Sequence, residues 1–179
     1  HVGMTVPQFN RRFKASVWPE SVILPGDKEL AMSYASSSRG LSSHRTSAQI
    51  AALVFGIIFL AIGVLGFIPG ITTNYEALLF AGYTSEATLL GLFQVSILHN
   101  AVHMLLGFAG LWMARTNSSA RTYLLGVGVL YALLFIYGLI VPLNGAGNFV
   151  PFNWADNWLH LILAVAMIVL GLVLGKDRS

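Results

Sequence analysis

Four long apolar runs, separated by polar segments, occupy most of the chain. Each run is close to the roughly 20 residues with which a helix crosses about 30 Å of hydrocarbon. Backbone groups in lipid are paired within the segment, which favours helices, whereas membrane strands are shorter and alternate polar with apolar positions. The pattern therefore predicts an all-α fold, a four-transmembrane-helix bundle over residues 48–175. The predicted spans are residues 48–68, 89–114, 123–141 and 154–174.

The second run contains polar residues, in the stretch HNAVHMLLGFAG at positions 99–110. Residues three or four positions apart share one helix face, and small or polar faces pack against neighbouring helices in membranes. The helical spacing therefore predicts a buried face on three of the spans. In span two this face is Ser96, His99 or Asn100, His103, Gly107 and Gly110; in span four His160, Ala164, Met167, Gly171 and Gly175; in span one Ala52, Gly56, Gly63 and Gly66.

The histidines of spans two and four are predicted to meet. If span two enters the membrane near Gly91, a rise of about 1.5 Å per residue places His99 roughly 12 Å and His103 roughly 18 Å deep. His160 is roughly 9 Å deep if span four enters near Trp154. We expect His99 and His160 to approach each other in the outer half of the bilayer. Asp156, at i−4, is placed to accept a hydrogen bond from the His160 ring.

The composition supports a membrane protein. Hydrophobic residues make up 56% of the chain and charged residues only 9%, whereas a soluble domain carries about 25% charged residues. Disulfides, thiolate metal sites and cysteine nucleophiles are excluded because the chain has no cysteine. The net charge of +3 is small and comes largely from the N-terminal segment, which argues against nucleic acid as a partner.

The basic residues predict the orientation. Six precede span one, two flank the loop between spans two and three, and two follow span four, whereas the other two loops contain acidic residues and no Lys or Arg. The positive-inside rule then places both termini in the cytoplasm, in a bacterial inner or thylakoid membrane. The basic residues are Arg11, Arg12, Lys14, Lys28, Arg39, Arg45, Arg115, Arg121, Lys176 and Arg178.

Residues 1–47 differ from the rest and form a separate predicted region. They are basic, contain Phe9, Phe13 and Trp18, and end in a Ser-rich stretch. Such a tail is suited to the cytoplasmic membrane interface or to a partner protein. Lipids and other membrane-protein subunits are therefore the expected partners, the subunits through this tail and the small-residue helix faces.

The run VSILHNAVHMLLGFAGLW and the segment NFVPFNWADNWLHLILAVAMIVLGLVLG resemble an uncharacterised bacterial family of four-helix membrane proteins, catalogued as a domain of unknown function, number 4383. The resemblance covers about residues 48–175, and its most specific pieces are H-N-x-x-H and A-D-N-W-L-H. It implies the fold and the choice of site but no reaction. The positions that match the polar motifs are His99, Asn100, His103, Asp156, Asn157 and His160.

Two roles for the buried histidines remain open from the sequence. They are either hydrogen-bonded contacts between helices or ligands of a haem, a chlorophyll or a transition metal, with His99, His103 and His160 as candidate axial or metal ligands. Asn100 and Asp156 would then hydrogen-bond to the ligands. No catalytic motif and no internal repeat is evident, which argues against an enzyme and a transporter. We therefore expect an accessory or structural subunit of a respiratory or photosynthetic membrane complex.

Overall fold

The structure, a computed structural model, describes residues 45–174 and contains four helices over that range. Three of them are long and apolar enough to cross a membrane, and the second in chain order, which is also apolar, is shorter. The elements are α1 (Ser47–Leu65), β1 (Thr72–Thr73), a 3-10 turn (Tyr75–Ala77), β2 (Thr88–Leu89), β3 (Phe93–Gln94), α2 (Ile97–Met113), α3 (Asn117–Ile140) and α4 (Trp154–Leu174). The predicted helical fold is present, together with a small antiparallel sheet in the order β1-β2-β3 that was not predicted. The predicted tail up to residue 44, and Gly175, lie outside the described residues.

The second helix begins later than the predicted span 89–114. Its predicted first turns form the β2–β3 hairpin, in which Leu90 and Gly91 have positive φ values of 54° and 69°. Left-handed backbone reverses the chain and ends a helix, but the apolar composition of this stretch does not distinguish a hairpin from a helix. The helix starts where the Ser96 Oγ accepts a hydrogen bond from the backbone N–H of His99 at 3.1 Å.

The third helix begins earlier than the predicted residue 123. Thr116 caps it, because its Oγ1 accepts a hydrogen bond from the backbone N–H of Ser119 at 3.2 Å. Residues 117–122, which are polar except for Ala120, form its first turns. A search for apolar runs therefore does not detect this part of the helix. The fourth helix has the predicted bounds.

The helices form two hairpins, α1 with α2 and α3 with α4. Glycines allow the backbones of α1 and α2 to touch: a Cβ on Gly107 would lie 2.6 Å from the backbone nitrogen of Leu60, and one on Gly56 would lie 3.0 Å from the carbonyl oxygen of Gly107. Close approach through small residues is the usual packing of membrane helices. The predicted small and polar faces of the three spans are buried throughout the described residues. On the opposite side of α2, Leu105 and Phe108 are 68% and 55% exposed, as expected for a lipid-facing surface.

Two aromatic rings join the hairpins at the centre of the bundle. Phe59 of α1 stacks on Tyr131 of α3, with ring centroids 5.4 Å apart and an interplanar angle of 5°. Both side chains are fully buried. The larger of the two cores surrounds this pair and includes Leu124 and Met167.

Candidate functional site

The three histidines singled out by the sequence line one cavity between α2, α3 and α4. The cavity has a volume of about 40 Å³, and Tyr131 and Phe152 also line it. The rings of His99 and His103 are 4.2 Å apart, and those of Tyr131 and His160 are 5.1 Å apart, measured between centroids. All three imidazoles are buried. Their use as ligands stays a prediction.

His103 has a hydrogen-bond partner at each ring nitrogen. Its Nδ1 lies 3.0 Å from the carbonyl oxygen of His99, one turn earlier in α2. Since a carbonyl only accepts, Nδ1 carries the proton, and in a neutral ring Nε2 is the acceptor. The Tyr131 hydroxyl lies 3.2 Å from Nε2 and donates to it. His103 is therefore held by its own helix on one side and by the second hairpin on the other, and no ring nitrogen is left over for a ligand.

His99 and His160 differ from His103 because each has a buried Nδ1 atom with no hydrogen-bond partner in the protein. The His160 ring packs in a T-shaped geometry against two aromatic rings. The distance between ring centroids is 5.1 Å to Tyr131 and 5.5 Å to Phe152. Aromatic edges and faces hold the imidazole in place without satisfying its nitrogen atoms.

The predicted depths assumed a helix that runs from Gly91, whereas α2 starts later. Because α2 begins at Ile97, His99 lies only about 3 Å along the helix axis and His103 about 9 Å. His160 also lies about 9 Å beyond the start of α4. Relative to the starts of their helices, His103 rather than His99 is therefore level with His160.

Asp156 does not accept a hydrogen bond from His160, contrary to the prediction. Its Oδ2 accepts hydrogen bonds from the backbone N–H groups of Asn153 and Gln94, both at 2.9 Å. The side chain of Asn153 in turn accepts from the backbone N–H of Asp156 at 3.1 Å. This is a capping box at the start of α4, where a carboxylate also opposes the positive end of the helix dipole. Asp156 therefore fixes the helix terminus and ties it to β3.

Asn100 and Asn157 are fully buried, and their side-chain amides make no hydrogen bond in the protein. Each amide lies against a glycine of the neighbouring helix in its own hairpin. A Cβ on Gly66, which directly follows α1, would overlap the amide of Asn100, and a Cβ on Gly138 of α3 would overlap the amide of Asn157. The predicted role of Asn100, a hydrogen bond to a ligand histidine, stays a prediction.

Sequence reasoning missed the residues that close the cavity at the end of the bundle where α4 begins. Asn148, fully buried, donates from Nδ2 to the carbonyl oxygens of Leu143 at 2.7 Å and Phe152 at 3.0 Å, and its Oδ1 accepts from the Phe152 N–H at 3.2 Å. These bonds fold the loop after α3 so that the Phe152 ring reaches the cavity. An asparagine in a loop that also contains Asn144, Gly145 and Gly147 gives no sequence signal of this role.

Within residues 45–174, no group of three or more His, Cys, Asp or Glu side chains is arranged to hold a metal ion. For His103, which was expected to supply one of three ligands, both ring nitrogens are engaged in hydrogen bonds. The predicted metal or cofactor site therefore stays a prediction.

Residues 49–173 match the family model described as Domain of unknown function (DUF4383). The chain belongs to this family. No curated protein and no solved structure matches the chain. The DUF4383 match includes the helices that carry the three histidines and both buried asparagines.

Within the DUF4383 domain, the two hairpins repeat one another, which inspection of the apolar runs did not detect. The pattern Asn-x-x-His-x-x-Leu-x-x-Ala occurs once in α2, from Asn100, and once in α4, from Asn157. Aligning span two directly with span four, rather than searching for a repeat of apolar runs, would have found it. The first helices of the hairpins also correspond, through Ala48 and Ala120, Gly56 and Gly128, Phe59 and Tyr131, and Gly66 and Gly138.

The equivalent aromatic positions differ in one hydroxyl group. Tyr131 supplies a hydroxyl to His103 across the hairpin interface. Its counterpart Phe59 has no hydroxyl, and its ring packs against His103 with centroids 5.8 Å apart. The equivalent histidines also differ, because His103 is bonded at both ring nitrogens, whereas Nδ1 of His160 has no partner in the protein.

Proposed function

We propose that this protein is a non-catalytic, structural component of a larger membrane assembly, in which the buried polar centre holds two helix hairpins together. The observation that carries the proposal is the small cavity of about 40 Å³, which packed rings line and in which His103 is already bonded at both nitrogens. The orientation that goes with it has both termini on the cytoplasmic side, as the basic residues predict.

Water is the occupant that suits this cavity. A buried nitrogen without a partner costs about 1–3 kcal/mol, and the Nδ1 atoms of His99 and His160 are two such groups. A water molecule needs about 10–15 Å³ of accessible space and several polar partners. The cavity provides the space, and the histidines and Tyr131 provide the partners. Bound water would connect His99 and His160 to the bonded His103.

A tetrapyrrole does not suit the cavity. Sites for ligands of that size typically have volumes of about 300–1,000 Å³, far above the volume found here. A haem or chlorophyll would have to separate α2, α3 and α4 and break the contact between Tyr131 and His103. The observation in favour of this second candidate is the pair of unbonded Nδ1 atoms on His99 and His160.

Visible absorption and metal analysis of the protein purified in mild detergent separate the two candidates. We expect no visible band and far less than one equivalent of any transition metal. A band or a stoichiometric metal that is lost in His160→Ala, while the variant keeps its helical circular dichroism, would exclude the structural proposal and support the cofactor.

The size of the particle that the protein forms in detergent tests the accessory role. The 19.3 kDa chain is extracted with the same mild detergent from its native membrane and from a heterologous host that lacks its partners. We expect it to migrate as a much larger particle only in the native extract. The same small size in both extracts would contradict the subunit role.

A further inference from the structure

The segment between α1 and α2 packs at one end of the bundle, and α2 begins within it. At 17 residues, α2 is about 25 Å long, which is short of the roughly 30 Å of bilayer hydrocarbon. The helices α1, α3 and α4 contain 19, 24 and 21 residues. Part of a fourth crossing is therefore missing at the end where α2 starts.

The start of α2 is paired with protein instead of being left to water. The backbone N–H groups of Ile97 and Leu98 donate to the carbonyl oxygens of Leu79 and Phe80, at 3.0 and 2.9 Å. The third N–H, that of His99, donates to the Ser96 side chain. The first N–H groups of a helix at an aqueous surface are commonly left to solvent, whereas at membrane depth each of them needs a protein partner.

The segment before α2 also satisfies much of its own backbone. Ladder bonds join β1 to β2 and β2 to β3. The Ser85 hydroxyl donates to the Val95 carbonyl oxygen at 2.7 Å and accepts from the Leu79 N–H at 3.2 Å. The N–H of Gln94 donates to Asp156 of α4. Backbone N–H and C=O groups at membrane depth need partners within the protein, and many of those in this segment have them.

The side chains that this segment exposes are apolar. Phe80 is 68% exposed and Leu90 69%, which matches the 68% of Leu105 in the middle of the lipid-facing side of α2. Leu79 and Leu92 are 44% and 53% exposed. Residues 69–96 include two acidic residues, Glu76 and Glu86, and no Lys or Arg.

We propose that the apolar side of residues 78–96 is seated in the bilayer leaflet at this end of the bundle, with Phe80 and Leu90 against lipid acyl chains and Glu86 on the aqueous side. This embedded segment completes the crossing for which α2 alone is too short. Lipid is the expected surrounding because the first backbone N–H groups of α2 all have partners in the protein. A hydrocarbon medium requires such pairing, whereas water would satisfy these groups itself.

Spin labels on single cysteines test the proposal, since the native chain has no cysteine that would interfere. Phe80→Cys and Leu90→Cys are labelled with a nitroxide in the full-length protein and reconstituted into phosphatidylcholine nanodiscs. Oxygen concentrates in hydrocarbon and a water-soluble nickel chelate does not, so the ratio of their collision rates reports the surroundings. Leu105→Cys is the lipid-facing control, and Glu86→Cys is the aqueous control within the same segment.

We expect the oxygen-to-nickel ratio at positions 80 and 90 to be several-fold above that at position 86 and similar to that at position 105. Ratios equal to that at position 86 would mean that the segment stands in water and would overturn the proposal. Low collision rates with both reagents would mean that a second copy or another protein covers the segment, which would also overturn it. Because the substituted side chains are exposed, we expect the variants to fold, and circular dichroism checks this.

Discussion

At the scale of single residues, one hydroxyl group distinguishes two equivalent aromatic positions. Tyr131 and Phe59 occupy equivalent positions and stack on each other, but only Tyr131 donates to a histidine. Hydrogen bonds between membrane helices contribute about 0.6 kcal/mol on average and up to about 2 kcal/mol. This bond links the two hairpins, so its loss weakens their association rather than either hairpin alone.

Replacing Tyr131 with Phe tests this role. The change makes the position identical to its counterpart, leaves Nε2 of His103 unpaired, and is expected to lower the free energy of unfolding by about 1 kcal/mol. Denaturation of the detergent-solubilised protein, followed by circular dichroism, measures the effect. Tyr83→Phe, at a partly exposed position in the loop before α2, is the control and should change stability by a few tenths of a kcal/mol at most. Equal effects of the two variants would contradict the assignment.

At the scale of the elements, each hairpin is closed by an asparagine of one helix against a glycine at or just beyond the end of the other. Gly66 receives the amide of Asn100, and Gly138 receives that of Asn157. The amides are buried and unbonded in the protein, so the close contact with the glycines provides their packing. A methyl group at either glycine would have to displace an amide.

Gly66→Ala and Gly138→Ala are each expected to destabilise the protein by about 1–3 kcal/mol through overpacking. Gly126→Ala is the matched control, because this glycine is also in α3 but a Cβ there meets no atom within 4 Å. We expect the control to be neutral or slightly stabilising, since Ala favours a helix more than Gly does. The same unfolding assay measures all three variants. A loss in Gly126→Ala as large as in the other two would show that the asparagine contacts are not the cause.

The sequence predicted the element faces better than the element ends. Helical spacing identified the buried sides of α1, α2 and α4, because burial against neighbours selects small and polar residues at a fixed period. It placed the start of α2 too early, since Leu90 and Gly91 form a turn within an apolar stretch. The spacing within α4 predicted a hydrogen bond between Asp156 and His160, because it relates only residues of the same helix. The partner Gln94 belongs to β3, which is distant in the sequence.

At the scale of the whole molecule, residues 45–174 contain three helices long and apolar enough to cross a membrane and one shorter apolar helix. A bundle in which α2 crosses places the loop before α2 and the loop after it on opposite sides of the membrane. The basic residues Arg115 and Arg121 flank the second of these loops, and the positive-inside rule assigns it to the cytoplasm.

Membrane-impermeant maleimide labelling of intact cells tests this arrangement. We expect Glu86→Cys to react from outside the cell and Ser118→Cys to react only after the cells are opened, because α2 separates the two positions. Both positions are exposed, so poor reactivity through burial is not expected. Labelling of both positions from outside would show that α2 does not cross, and would also refute the cytoplasmic assignment of the second loop.

The pairing of each asparagine with a glycine in its own hairpin has a consequence for biosynthesis. The ribosome makes α1 before α2 and α3 before α4, so the partner surface for each amide has left the tunnel before the amide itself. Each pair of helices can leave the translocon as a closed unit, and neither Asn100 nor Asn157 has to wait in lipid for the other half of the protein. The contact of Tyr131 with His103 then forms last, when the two finished units meet.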